Sequence, residues 1–161
     1  MRASAGITGA KEFVIIGSQA VLGQFPNPPG ELLISIEADL FSFRSPADAD
    51  LIDGCIGEGS PFHHTFGYYA HGVAGETAAL PAGWKDRLIF IHNENTGDGT
   101  GLCLEVHDRA VSKLVAGREK DLDFVAALLR HQFVKPEIIR DRLKVTTVAP
   151  DRLELCVARI Q

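Results

Sequence analysis

The feature that most restricts the fold of this chain is a short apolar strand running into a Gly-Ser turn, followed by a second strand that carries an acid-x-acid pair. The first is Lys11 to Ile16 with Gly17-Ser18 behind it, and the second is Leu33 to Phe43. Side chains of an extended strand alternate between its two faces. Ile34, Ile36, Ala38 and Leu40 therefore fall on one side, and Ser35, Glu37 and Asp39 on the other. The pattern asks for one face in a core and one face with two carboxylates side by side, close enough to share a divalent cation. An isolated pair of this kind commonly does no more than face water. The turn before it changes that reading. Gly17 lets the backbone approach a phosphate closely, and the Ser18 hydroxyl and the helix start behind it can donate to one.

A chain of 161 residues fits a single domain that buries roughly 70% of its unfolded surface. We read residues 1–161 as one such domain, sheet-rich over about 11–106 and helical over about 107–145. Hydrophobic residues make up 45% and charged residues 23%, the balance of an ordinary globular protein. No apolar run approaches the length of a membrane span, and MRASAGITGAKE lacks the apolar core of a signal peptide. Cys55, Cys103 and Cys156 are widely spaced, without a CxxC. A reduced, cytoplasmic protein without membrane partners is expected.

The net charge of −5 is unevenly distributed. Residues 1–107 carry 5 basic and 13 acidic side chains, whereas residues 108–144 carry 9 basic and 6 acidic. An acidic part suited to a metal thus precedes a mildly basic part that either meets phosphates or presents solvated helix faces.

Taken in order, residues 1–10 are a loosely held start, and a strand over Glu12 to Ile16 follows. Ser18 caps a short helix to about Gly23, and FPNPPG forms a turn. Ser45-Pro46 opens a helix to about Ile56. A helical turn at PFHHTF precedes a strand pair, Tyr68 to Val73 with Glu76 to Ala79. Arg87 to His92 and Leu102 to Val106 form a hairpin across NENTGDGTG. Asp108 caps a helix to Ala116, a second covers Lys120 to Phe133, and Lys135-Pro136 opens a third to about Leu143. Leu153 to Ile160 is a strand or a short helix. Strands come first and helices last, so the order favours an α+β fold over a doubly wound sheet.

EFVIIGSQAVLG followed by SIEADLF resembles the signature of the nucleotidyltransferase superfamily, with Gly-Ser after a strand and acid-x-Asp on the next. VHDRAVSKLVAGREKDLDFV resembles the helical part of its bacterial toxin-like branch, the AbiEii-type and MenT-like proteins. The resemblance covers roughly residues 12–44 and 105–130. It implies a nucleotidyltransferase-like mixed β-sheet with helices packed on it and a helical C-terminal part. In that family a lysine in a "KL" helix and a later aspartate complete the site; by position these are Lys113 and Asp121. The implied site holds Mg²⁺ or Mn²⁺ on Glu37 and Asp39 and the triphosphate of an NTP on Gly17, Ser18 and Lys113. Arg118 and Lys120 either contact phosphates or form surface charge, and Asp121 either completes the site or caps the second helix. The chain departs from the family pattern at Glu37, where aspartate is usual, and in the FPNPPG linker. No third strand carboxylate is evident, since Glu105 immediately precedes a helix.

The activity implied is transfer of an NMP from an NTP to a hydroxyl acceptor: RNA, with tRNA as the family precedent, a protein or a small molecule. The alternative is a catalytically inactive member that binds nucleotide or a partner, for instance a toxin-antitoxin component with a cognate antitoxin. His63, His64 and His71 with Cys55 or Cys103 match no standard zinc spacing. Phe66, Tyr68 and Tyr69 either stack on a base or pack in the core.

Overall fold

The computed structural model of the chain describes residues 1–43, 45 and 47–160, with the side chain of Thr77 left aside. It divides into two compact units. The first, Met1–Thr77 with Leu88–Leu104, contains the whole sheet; the second, Ala78–Arg87 with Glu105–Gln161, is helical.

The first unit runs α1 (Arg2–Thr8), β1 (Glu12–Ile15), a 3₁₀ turn over Ser18–Gly23, β2 (Glu37–Phe41), α2 (Asp48–Ile56), α3 (Pro61–Phe66), β3 (Tyr69–Gly72), β4 (Ile89–Ile91) and β5 (Thr100–Cys103). The strands form one mixed sheet in the order β3-β2-β1-β5-β4. β1 lies in the middle, antiparallel to β2 and parallel to β5. That position explains why Phe13, Val14 and Ile15 are all buried: a central strand is covered on both faces. Phe13, Ile15, Leu40, Ala70 and Cys103 share a face and pack with Ile52 and Ile56 of α2 into the core of this unit.

The start of the chain is more ordered than expected. Residues 2–8 form α1, whose Ala3, Ala5 and Ile7 pack on the same core. The second strand is shorter than expected, because regular pairing covers only Glu37 to Phe41. Ile34 and Ile36, expected on its buried face, are 79% and 53% exposed. The prolines lead into a 3₁₀ turn at Gly30–Leu32, and the Ser35 hydroxyl bonds the backbone of Glu37. Those local bonds accompany the departure of residues 33–35 from the sheet, while the Ile36 carbonyl still accepts from Tyr69 N at 3.1 Å. The expected start of α2 is displaced as well: Ala47 stands at the cap, and no side chain caps the helix. Pro46, expected at its first position, lies outside the described residues.

The largest correction concerns β3. Instead of pairing with the segment after it, which is a 3₁₀ turn at Gly75–Thr77, β3 runs parallel to β2. The intervening α2 and α3 make the crossover that a parallel pair requires.

The second unit holds α4 (Val106–Ala116), α5 (Glu119–Arg130), α6 (Pro136–Lys144) and α7 (Pro150–Ala158), so the last segment is helix, not strand. Val111, Leu114, Val125, Leu128, Ile139, Leu143 and Cys156 form its buried apolar positions. With the sheet and the C-terminal helices, the architecture is the expected α+β mixture. No helix among the described residues is long and apolar enough to cross a membrane.

Candidate metal and phosphate site

The register of β3 on β2 decides which side chains meet. Tyr69 stands opposite Glu37, and His71 opposite Asp39. Paired residues of neighbouring strands project to the same face, so two carboxylates and an imidazole converge. His71 Nδ1 lies 3.0 Å from Glu37 Oε1 and 3.3 Å from Asp39 Oδ1. The His71 side chain is 48% exposed and each carboxylate 29%, so the cluster is held yet open to solvent.

The strands that carry these residues are held by local structure. The Gln19 amide donates to the Ser35 carbonyl, tying the 3₁₀ turn to the entry of β2. Gly72 N donates to Asp53 Oδ1 at 2.7 Å, and a Cβ on Gly72 would collide with the Ala49 backbone, so α2 sits tightly on β3 just past His71. The acids also create a local negative field. Burial and then the charges of Glu37, Glu58 and Asp39 push the Tyr69 phenol above its ordinary value.

Gly17 and Ser18 stand at the end of β1, beside these acids. Gly17 has an extended backbone that any residue can adopt. Its requirement is spatial: a Cβ there would lie 2.5 Å from Asp39 Oδ2 and 2.9 Å from Asp39 N. The phosphate-type turn and the expected metal acid are thus in direct contact. Ser18 is the first residue of the 3₁₀ turn, while Gly17 occupies the cap position expected for Ser18.

The other expected site residues come together in the helical unit. Lys113 Nζ donates to Asp121 Oδ1 at 2.7 Å, and Arg118 Nε donates to Asp121 Oδ2 at 2.6 Å. The Asp121 side chain is fully buried, Lys113 is 15% exposed and Arg118 61%. Burial alone would raise the Asp121 carboxyl, but hydrogen bonds from Arg118 and Lys113 hold it below the ordinary aspartate value. Lys113 also lies 5.8 Å from the centre of the Phe124 ring, within cation–π range.

Two expected roles shift. Glu105, not Asp108, caps α4, accepting from His107 N and Asp108 N. Burial would raise Glu105 too, but its bonds with His107 and the helix start hold it low. Asp108 is instead fully buried within the first turn, where Arg87 grips it with Nε at 2.8 Å and Nη2 at 3.0 Å. Arg142 adds a third cation contact at 3.6 Å.

Sequence reasoning weighed His71 only with other histidines and cysteines for a zinc site, found no matching spacing, and missed its carboxylate partners. Among the described residues, the group of metal-ligating side chains that converges is Glu37, Asp39 and His71, whose ligand atoms lie within 4.8 Å of one another. His71 is 32 positions from Asp39, and no spacing rule links them. The available signal was the parity of Tyr69 and His71 on a strand; the missing knowledge was which strand it pairs with.

Two carboxylates and a neutral imidazole are a competent donor set for a divalent cation, with open positions left for further oxygen ligands. An adjacent turn that brings backbone close to the acids fits a phosphate-bearing ligand. No curated protein and no solved structure matches the chain significantly. One family's sequence profile, described as a nucleotidyltransferase of unknown function (DUF6036), matches residues 3–152, and the chain belongs to that family.

Proposed function

We propose that the protein is a metal-dependent nucleotidyltransferase that moves an NMP from an NTP to a hydroxyl acceptor. The observation that carries this reading is the contact between the Gly17 turn and the Asp39 carboxylate, with Glu37 and His71 beside it. Gly17 and Ser18 receive the phosphates, while Glu37 and Asp39 hold Mg²⁺ or Mn²⁺. Bound there, the ion would neutralise phosphate charge and polarise the α-phosphoryl group. The transfer forms a bond between the acceptor oxygen and the α-phosphorus and breaks the bond from that phosphorus to the bridging oxygen. Pyrophosphate leaves with that oxygen, and the hydroxyl proton passes to solvent.

The resemblance to the AbiEii-type and MenT-like branch implies a phosphate-binding role for Lys113 and Arg118, with Asp121 orienting them. Their hydrogen bonds to Asp121 support that orienting role. The acceptor proposed is tRNA or a protein side chain, the setting is the cytoplasm, and a cognate antitoxin is the partner expected of this branch. A second reading has its own support: an imidazole, not a third carboxylate, completes the cluster. That substitution favours a member that binds nucleotide or a toxin-antitoxin partner without transfer.

The decisive experiment incubates the protein with each α-labelled NTP, Mg²⁺ or Mn²⁺, and total RNA, beside Asp39→Ala. Label in RNA or in the protein, lowered at least about a hundredfold in the variant, is the expected result. Undiminished labelling by Asp39→Ala would overturn the site. Metal-dependent NTP binding with no label under either metal would establish the binding-only reading.

A further inference from the structure

We propose that His71 is a metal ligand and that it sets the identity of the metal, making the site prefer Mn²⁺ to Mg²⁺. This rests on the metal-dependent reading above and adds to it the residue that selects the ion. His71 presents one nitrogen, Nδ1, between carboxylates on two positions of the neighbouring strand, at 3.0 and 3.3 Å. The three donor atoms span no more than 4.8 Å. Ligands about 2.0–2.3 Å from a shared ion are separated by roughly 3–4.5 Å, so small rotamer adjustments bring all three onto one cation.

The molecule uses other chemistry where it buries a carboxylate. Asp108 is met by Arg87 and Arg142, and Asp121 by Lys113 and Arg118. Those partners are permanent cations with several N–H donors, and neither aspartate side chain is exposed. At Glu37 and Asp39 the partner carries a lone pair when neutral, and the three side chains stay open to solvent. The position of His71 is also rigid, since β3 is held by its parallel register on β2 and by the Asp53 bond to Gly72. A pre-set imidazole on an open site is what a ligand requires.

Ligand type then determines the ion. Mg²⁺ favours an oxygen shell and keeps its waters, whereas imidazole nitrogen suits first-row transition ions. Among these, Mn²⁺ retains an affinity for carboxylate and phosphate oxygen, which the Glu37–Asp39 pair and a triphosphate supply. The site therefore differs from an all-carboxylate one through a single nitrogen.

The test uses the full chain stripped of metal by EDTA, without nucleotide. Calorimetric titration with MnCl₂ and with MgCl₂ gives the preference, and pulsed EPR of the Mn²⁺-loaded protein reads nitrogen coupling directly. Wild-type protein is expected to bind Mn²⁺ at least about tenfold more tightly than Mg²⁺ and to show ¹⁴N modulation. His71→Asp is expected to bring the two affinities together and abolish the modulation, with circular dichroism confirming a retained fold. His71→Ala is expected to weaken Mn²⁺ at least about tenfold. Undiminished Mn²⁺ binding by His71→Ala would overturn the proposal, because the imidazole would then be an ion-pair partner of the acids. Mn²⁺ binding without nitrogen coupling, equal affinities in wild type, or no Mn²⁺ binding would overturn it equally. The two readings fail separately. Nitrogen coupling in a protein that transfers no label defeats the transferase reading alone, and Mg²⁺-supported transfer without coupling defeats only the role of His71.

Discussion

Carboxylates are treated in two different ways in this protein. In the helical unit, Asp108 and Asp121 are removed from water and each is saturated by fixed cations, Asp108 by a two-pronged Arg87 grip and Asp121 by Lys113 and Arg118. On the sheet, Glu37 and Asp39 stay partly exposed and share one imidazole between them. Buried charge is tolerable only when paired and hydrogen-bonded, so in the first arrangement the carboxylate oxygens are already taken up by cations. The second leaves lone pairs accessible, which is the condition for taking up a cation. An acid saturated by permanent charge has no place left for a metal, whereas the incompletely neutralised pair on the sheet does.

That contrast is most sharply broken by truncating one carboxylate from each group. Asp108→Ala removes the buried carboxylate that Arg87 and Arg142 share, although Arg87 keeps its bond to the Ala82 carbonyl, and we expect it to cost about 3 kcal/mol in urea unfolding. Asp39→Ala removes one of two adjacent like charges, so its stability should remain within about 1 kcal/mol of wild type, while metal binding and transfer are lost. Equal destabilisation by the two variants would erase the distinction.

Gly17→Ala should have an intermediate effect. The added methyl must displace the Asp39 carboxylate or the β2 backbone, costing about 1–3 kcal/mol and weakening metal binding together with stability. A variant with full metal affinity would show that the Gly17 contact does not position Asp39.

The helical unit also predicts an acid signature. Hydrogen bonds from Arg118 and Lys113 outweigh burial and leave the folded Asp121 carboxyl below its unfolded value of 3.8. Its contribution is then complete above that value and is lost as pH falls through the lower folded value. In Asp121→Asn, the loss of stability below about pH 4 should be shallower than in wild type, as measured by urea midpoints across that range. An unchanged acid limb would mean that the Asp121 cluster does not govern it.

Ser18→Ala should alter least. Gly17, not Ser18, stands at the cap of the turn, so stability is expected within about 0.5 kcal/mol. If the hydroxyl receives a phosphate, KM for the NTP rises while the fold is unchanged. An unaltered KM would leave the backbone of the turn as the phosphate-binding element.

Much of this was legible in the residues. β1, the hairpin of β4 and β5, and the amphipathic helices α5 and α6 follow from local periodicity and turn chemistry. Glu37 and Asp39 share a face because strand alternation is a property of the backbone. Lys113 and Asp121 were singled out only through the family resemblance, and their contact across the short α4–α5 connection was not foreseen.

Other features were not legible, and for a common reason. The exposure of Ile34 and Ile36 contradicts their hydrophobicity because the strand begins only where β3 supplies a partner. Capping of α4 by Glu105 in place of Asp108 followed from the burial of Asp108 against Arg87, a residue 21 positions away. His71 joined the acids only through a parallel register set by the α2–α3 crossover. The sequence by itself determined the acid-x-acid strand, the Gly-Ser turn and the order of strands before helices, all encoded by neighbours within a few residues. Tertiary structure alone decided that an imidazole would join the two acids, because strand pairing depends on long-range packing that no local spacing records.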